Sequence, residues 1–285
     1  MTEISKQQYH IHITSERRWF DLNLKEVWHY RDLIVLFTKR TFVVTYKQTI
    51  LGPLWIFLNP FITSVIYTFI FGGIAGIETE GVPHILFYMC SNAVWSFFAT
   101  CVNSNANSFR NNANVFGKVY FPRLTIPISN MLVAGIRFFI QMLMLGGFLI
   151  FYLIRGEVQP NWSYWPLIIV VLLHLGLMGL GFGIIISSMT TKYRDLSMLV
   201  GFGVQLWMYA TPIVYPLSTL GASRMMTALM INPVTMPVEV FRYAMLGKGT
   251  IVPQYLALSW VFTIVVIIFG IMIFNRVEKT FMDTV

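Results

Sequence analysis

Long apolar stretches dominate this chain and limit what it can fold into. A helix needs about 20 mostly apolar residues to cross a bilayer, and six stretches come close to or exceed that length: 51–73, 85–103, 125–154, 166–190, 196–217 and 254–275. The chain is 56% hydrophobic and only 11% charged, which is too apolar for a soluble domain. We therefore predict an all-α polytopic membrane protein with six transmembrane helices.

Lysine and arginine are divided unevenly between the segments that flank these stretches. Fifteen lie in one alternating set of segments: 1–50, 104–124, 191–195 and 276–285. Only four lie in the other set: 74–84, 155–165 and 218–253. Because cytoplasmic loops retain positive charge, both termini are predicted to be cytoplasmic. The net charge of +8 follows from this asymmetry, so it does not indicate a nucleic-acid partner.

The polar segment before the first span predicts an amphipathic helix over 24–48. Its apolar residues recur at helical spacing: Val27, Tyr30, Ile34, Phe37 and Val44. Its charged residues fall away from that face: Asp32, Lys39, Arg40 and Lys47. A helix in the cytoplasmic interface fits this pattern; an ordinary juxtamembrane stop signal is the alternative. We accordingly divide the chain into a cytoplasmic region 1–50, a membrane domain 51–275 and a cytoplasmic tail 276–285.

A bend is predicted where the interfacial helix meets the first span. Gly52 tolerates unusual dihedral angles, and Pro53 suits the first turn of a new helix. Together they let the backbone turn from lying along the membrane to crossing it. Pro60 removes one internal hydrogen bond and should kink the span unless a neighbour satisfies the freed carbonyl.

The cytoplasmic loop 104–124 predicts a short helix near 107–117. Six asparagines lie within 103–124, and asparagine favours helix caps and turns. Pro122 then precedes the third span. The segment is either a solvated connector or a docking element.

On the outer side, 218–253 predicts two short apolar helices, 219–231 and 236–246, broken at Asn232 and Pro233. Each helix is too short to span, so together they predict a re-entrant hairpin that protein or water must shield. Glu239 and Arg242 lie three residues apart and can form an ion pair there.

Ionisable and catalytic groups are scarce at membrane depth. All twelve carboxylates fall outside the predicted spans, and His174 is the one histidine inside them, which favours a packing role. Arg137 in the third span either snorkels to the interface or is a buried functional arginine. The chain contains no HExxH, GxSxG or GxxxxGK[ST] motif, so we expect no catalytic, cofactor-binding or metal-binding residues. If this protein moves a solute uphill, the energy must come from another chain.

Aromatic and small residues in the spans suggest packing and a possible path. Trp95, Phe98, Trp207 and Tyr209 belong either to an interfacial belt or to a lining on which sugars stack, and the sequence does not separate these alternatives. Gly179 and Gly183, four residues apart, predict a close helix–helix contact. Cys90 and Cys101, eleven positions apart on one helix, cannot form a disulfide there.

Three segments resemble the membrane subunits of ABC-2 type exporters, specifically permeases for O-antigen and related lipid-linked polysaccharides. They are "WHYRDLIVLFTKRTFVVTYKQTILGPLWIFLNP" (28–60), "NNANVFGKVYFPRLTIP" (111–127) and "INPVTMPVEVFRYAMLG" (231–247). The first two are specific to polysaccharide and teichoic-acid permeases, whereas the third occurs more loosely across ABC-2 permeases. The resemblance covers the chain from about residue 24 onward.

The resemblance implies a homodimer in the bacterial inner membrane, assembled with two separate ATPase subunits that use ATP and Mg. It also implies that the helices at 24–48 and 107–117 contact the ATPases and that the outer helices close the exit. The expected substrate is a polysaccharide on an undecaprenyl diphosphate carrier. The candidate coupling residues are Arg110, Asn111 and Asn112. The candidates near the carrier phosphates at the membrane edge are Tyr46, Lys47 and Arg123.

Three alternatives remain at this point. Export of capsule or teichoic acid is the nearest. A membrane enzyme acting on polyprenyl-linked sugars would need intramembrane catalytic groups, which the sequence lacks. An exporter of small hydrophobic molecules would leave the polysaccharide-type motifs unexplained.

Overall fold

The computed structural model describes residues 24–47, 50–116, 121–190, 195–221 and 223–284. Every regular element within these ranges is helical, which confirms the predicted class. The principal helices are α1 (Leu24–His29), α2 (Arg31–Lys47), α3 (Trp55–Tyr67), α4 (His84–Ala106), α5 (Ser108–Phe116), α6 (Thr125–Ile154), α7 (Trp165–Thr190), α8 (Leu196–Tyr209), α9 (Arg224–Ile231), α10 (Thr235–Leu246) and α11 (Pro253–Thr284). The predicted N-terminal tail 1–23 lies outside the described residues. The predicted tail from residue 276 continues α11 as far as Thr284.

Five segments of the described chain are long and apolar enough to cross a membrane: Gly52–Ile74, His84–Ala106, Thr125–Ile154, Trp162–Thr190 and Pro253–Phe274. The prediction of six spans is therefore confirmed only for five. The stretch 196–217 instead forms the 14-residue helix α8 followed by turns. At 1.5 Å per residue α8 is about 21 Å long, shorter than the ~30 Å hydrocarbon layer. Pro212 explains its early end, because a proline disfavours helical geometry in the preceding residue.

Successive long helices run in alternate directions between two ends of the bundle. The α5 end, which carries α2 and α5, includes the end of α4 and the starts of α6 and α8. The hairpin end, which carries α9 and α10, includes the start of α7, where the backbone N–H of Asn161 donates to the carbonyl of Ala244 over 3.1 Å. These two names are used below for the two ends.

The centre of the bundle is α4 packed between α6 and α7, with α7 in turn against α11. The predicted close contact at Gly179 and Gly183 is confirmed, and the partner is α4. A Cβ at Gly179 would lie 2.6 Å from Cβ of Cys101, and one at Gly183 would lie 2.3 Å from Cβ of Asn105. Real atoms cannot approach so closely, so glycine is required for this helix pair. Cys90 and Cys101 are both buried free thiols, as predicted.

The N-terminal segment that was predicted to form an amphipathic helix is helical. The helix divides at Tyr30 into α1 and α2, and Val27, Ile34 and Phe37 are buried. The Phe37 ring packs 5.5 Å from that of Phe121, so α2 lies against the protein at the α5 end. Val44, which was placed on the same apolar face, is 67% exposed. Val44 lies in the last turns of α2, and these turns lie beyond the contact between Phe37 and Phe121.

Gly52 and Pro53, where the bend was predicted, lie between α2 and α3. Gly52 has a φ of +51°, which disfavours side-chain-bearing residues, and it begins a short 3₁₀ turn, Gly52–Leu54, in which Pro53 is the second residue. Pro60 lies inside α3. Beyond Tyr67 the first span continues as a π-helical segment, Thr68–Ile74.

The predicted hairpin consists of α9 and α10, with Asn232 and Pro233 at its tip. The Nδ2 of Asn232 donates to the carbonyl of Ala210 over 2.7 Å, and the Ser259 hydroxyl donates to the carbonyl of Pro233. The tip therefore lies between the end of α8 and the second turn of α11. Gly247 closes α10 with a φ of +69°, as predicted for a C-cap.

Candidate functional site

At the α5 end, α5 is held by contacts to several other helices. The Phe109 ring stacks on Phe274 of α11 with centroids 4.8 Å apart, and the Phe109 N–H donates to the Ser187 hydroxyl of α7 over 3.2 Å. Asn130 of α6 donates through Nδ2 to the Ser108 hydroxyl over 3.2 Å. A displacement of α5 would therefore be transmitted to three of the long helices.

The three predicted coupling residues lie on this anchored helix. Arg110 and Asn111 are exposed, and Arg110 Nη1 donates to the Ser197 hydroxyl at the start of α8 over 3.3 Å. Asn112 is half-buried, and its Nδ2 donates to the Ser108 carbonyl over 3.0 Å in its own helix. Arg110 and Asn111 are thus accessible to a partner, whereas Asn112 stabilises α5.

The three residues predicted at the membrane edge occupy different environments. Lys47 is exposed at the end of α2, but Arg123 is buried, with 8% of its surface accessible. Tyr46 faces α6, with the Arg137 guanidinium carbon 5.5 Å from its ring centroid. Burial raises the pKa of the Tyr46 phenol above its ordinary value, while the charge of Arg137 acts to lower it. The phenol is therefore protonated at neutral pH.

A polar cavity of about 330 Å³ lies beside Tyr46, between α3, α4 and α6. Its lining includes four amide side chains: Asn59, Asn92, Asn103 and Gln141. Arg137 also lines it, so this arginine faces protein and not only the lipid headgroups. Arg137 was a candidate from the sequence, whereas the four amides were not. The amides could have been identified from the sequence, because each is isolated in an apolar span. In addition, Arg137 and Gln141 are four residues apart, which places them on one helical face.

The four candidate path aromatics do not share one surface. Trp207 packs edge to face on Phe98, with ring centroids 5.3 Å apart, and its centroid lies 6.5 Å from that of Trp95. Phe98 is fully buried, and Trp95 lines the polar cavity. Tyr209 is 48% exposed at the end of α8. Trp207 also donates through Nε1 to Oδ1 of Asn232 over 3.1 Å, which connects the aromatic cluster to the hairpin tip.

At the hairpin end, the predicted pair of Glu239 and Arg242 is present and wholly buried. Arg242 Nη1 lies 2.6 Å from Glu239 Oε1, with side-chain exposures of 0% and 1%. Arg242 Nη2 donates to the Ser91 hydroxyl of α4 over 3.0 Å and to the carbonyl of Pro212. The pair therefore fastens α10 to α4 and to the turn after α8.

Residues that could ligate a metal ion are not clustered in the described part of the chain. No group of three or more His, Cys, Asp or Glu residues there is arranged to hold a metal ion. His174 is buried, stacks on Trp260 at 4.1 Å and lies 2.9 Å from the Thr263 hydroxyl. These contacts fit the predicted packing role.

Comparison with known proteins relates this architecture to a transporter family. The family described as "ABC-2 type transporter" matches residues 32–246. The chain is 27% identical over 252 residues to an O-antigen export system permease protein RfbA of Klebsiella pneumoniae, covering 88% of this chain and 94% of the relative. It is 28% identical over 217 residues to the protein of the same name from Myxococcus xanthus, covering 74% of this chain and 78% of the relative. The match to the family covers most of the chain, which therefore belongs to the ABC-2 type transporter family.

Proposed function

We propose that this chain is the membrane permease subunit of an ATP-driven exporter that moves undecaprenyl-diphosphate-linked polysaccharide, namely O-antigen, across the bacterial inner membrane. The observation that carries the proposal is the similarity, over most of both chains, to relatives named as O-antigen export permeases. The scarcity of acidic groups in the five spans supports an external energy source. ATP and Mg would be used by a separate ATPase, and this chain would bind neither.

Six crossings with both termini cytoplasmic fit the charge distribution best. Five crossings would place the two ends of the chain on opposite sides, against the positive charge on both. We therefore count α8 as a crossing that begins at the α5 end, with the turns up to Tyr215 and the hairpin filling the remaining depth. The contacts of Asn232 with Ala210 and of Pro233 with Ser259 support a re-entrant hairpin. The α5 end is then cytoplasmic, with α2 along the interface.

A homodimer would cover apolar surface that one subunit leaves open. Within the apolar 18-residue core of the first span, Gly52–Ile74, only 11% of the residues are buried. The corresponding share in the second span, His84–Ala106, is 78%. On α8, Val204 and Met208 are the buried residues. Surfaces on these two helices are available for lipid, for a second subunit or for a polymer path between subunits. Tyr209 lies on α8 and remains a candidate for that path.

Coupling to two ATPase subunits would act through α5 and α2. Arg110 and Asn111 project from a helix that contacts α6, α7 and α11, so a force applied there reaches the membrane domain. Gly52 and Pro53 would convert movement of α2 along the interface into tilt of the first span. The hairpin, fastened through Arg242, would close the exit.

A direct test is to purify the chain together with its ATPase and to measure ATP hydrolysis with and without lipid-linked O-antigen. The proposal predicts a stable complex whose hydrolysis rate changes when the glycan is added. A chain that binds no ATPase, or a complex that is indifferent to every lipid-linked glycan offered, would contradict it. Capsule and teichoic-acid precursors in parallel reactions would identify the preferred polymer.

A further inference from the structure

The polar cavity beside Tyr46 is lined by a partly buried cation, Arg137, whose charge is not neutralised within the described chain. Arg137 forms no ion pair or hydrogen bond to any residue that the structure describes; its contact is with the Tyr46 ring at 5.5 Å. Its Nε is buried and has no hydrogen-bond partner. A charge that is partly removed from water is stabilised by an opposite charge beside it. The cavity therefore favours an anion.

Gln141, one helical turn further along α6, carries a hydrogen-bond acceptor that lacks a donor. Its side chain is 8% exposed, and its Oε1, a hydrogen-bond acceptor, is buried without a partner. An acceptor needs a donor, which a phosphate diester does not provide and a hydroxyl does. The cavity thus presents an unmatched cationic donor and an unmatched acceptor on the same face of one helix. Water would pair with both atoms but would leave the charge of Arg137 uncompensated.

The rest of the lining suits a polyhydroxylated group next to that anion. Within the described chain, the side-chain amides of Asn59, Asn92 and Asn103 have no hydrogen-bond partner, so all three can exchange donors and acceptors with hydroxyls. Trp95 contributes a ring surface. The volume of about 330 Å³ is at the lower end of the range for small-molecule sites.

We infer that this cavity binds a lipid headgroup in which a phosphate ester adjoins hydroxyl groups, with Arg137 holding the phosphate and Gln141 accepting a bond from a hydroxyl. Two sources share this chemistry: the glycosyl phosphate end of a lipid-linked glycan, and an anionic phospholipid with a polyol headgroup. The first source rests on the proposed function, whereas the site itself does not.

The test is competition binding to the purified full-length chain with four probes of graded chemistry. Decyl phosphate carries the anion alone, and decyl glucoside carries hydroxyls alone. Dihexanoyl phosphatidylglycerol and a farnesyl diphosphate bearing one hexose carry both. The Arg137→Gln variant should bind the three phosphate probes at least about tenfold more weakly, the factor that corresponds to about 1.4 kcal/mol. Its affinity for decyl glucoside should not change.

Two further variants separate binding from folding. Arg137→Lys keeps the charge and should recover part of the affinity. Arg155→Gln removes an exposed arginine at the other end of α6, paired with Glu157 at 3.9 Å, and should bind like the wild type. Gln141→Leu should weaken the probes that combine phosphate with hydroxyls more than decyl phosphate.

Equal binding of the phosphate probes by the wild type and Arg137→Gln would overturn the inference, as would a wild-type chain that binds none of them. Preference for the farnesyl probe would identify the lipid-linked glycan as the source, and preference for phosphatidylglycerol would identify a membrane lipid. The binding assay contains no ATPase and does not measure export. A negative result would therefore exclude the headgroup site without contradicting the proposed function.

Discussion

The buried ion pair in the outer hairpin offers a quantitative test of how the bundle is held together. Arg242 is fully buried, contacts Glu239, Ser91 and the carbonyl of Pro212, and lies 4.3 Å above the Phe87 ring. Replacing it with methionine keeps most of its length but leaves the Glu239 carboxylate buried without its cation. Removing one partner of such a pair costs about 3–5 kcal/mol. At about 2–4 °C per kcal/mol, the melting temperature of Arg242→Met should fall by roughly 10 °C.

The two cysteines provide the assay. Cys90 and Cys101 are both fully buried, so a fluorogenic thiol reagent will react with them as the helices separate on heating. Arg224→Met is the matched control, because Arg224 is exposed at the start of α9. Its melting temperature should equal that of the wild type.

A second variant isolates the ionic contribution. Glu239→Met combined with Arg242→Met removes both charges, and apolar replacement of a whole buried pair is often close to neutral. The double variant should therefore melt above Arg242→Met alone. The reasoning is refuted if Arg242→Met melts within about 2 °C of the wild type, or if removing Glu239 as well lowers stability further.

Three other variants test the helix contact, the bend and the coupling helix. Gly183→Val places a Cβ 2.3 Å from that of Asn105 and should prevent accumulation of folded protein. The control Gly147→Val, whose Cβ meets nothing within 4 Å, should be tolerated. Equal yields of the two variants on size exclusion would contradict this packing. Gly52→Val forces a β-branched residue to φ +51°, at a cost of at least about 1–2 kcal/mol, and should depress polymer export while membrane insertion persists; unchanged export would oppose the bend hypothesis. Arg110→Glu reverses an exposed charge on α5 and should weaken co-purification of the ATPase without lowering the melting temperature; undiminished co-purification would exclude this residue from the interface.

Local signals in the sequence predicted the parts of the structure that depend on short-range chemistry. The bend at Gly52, the break at Asn232 and the cap at Gly247 all follow from backbone preferences of single residues. The contact at Gly183 and the pairing of Glu239 with Arg242 follow from helical spacing. These features need no knowledge of which helices are neighbours.

Features that depend on tertiary packing were not predictable in the same way. The burial of Arg123 and the exposure of Val44 depend on where α2 meets the α5 end, which periodicity does not specify. The polar cavity combines residues from α3, α4 and α6 that are far apart in the chain. Pro212 could have predicted the early end of α8. The residues around Pro212 are mostly apolar, however, so the hydrophobic pattern alone indicated a longer helix.

Reconstituted transport tests the central claim most directly. Proteoliposomes that contain the chain and its ATPase should move fluorescent lipid-linked O-antigen across the bilayer when ATP and Mg are supplied on the cytoplasmic side. Proteoliposomes that contain the chain alone should move none, with or without a proton or sodium gradient. Transport driven by a gradient in the absence of the ATPase would contradict the account, because the membrane domain would then contain an energy-coupling site of its own.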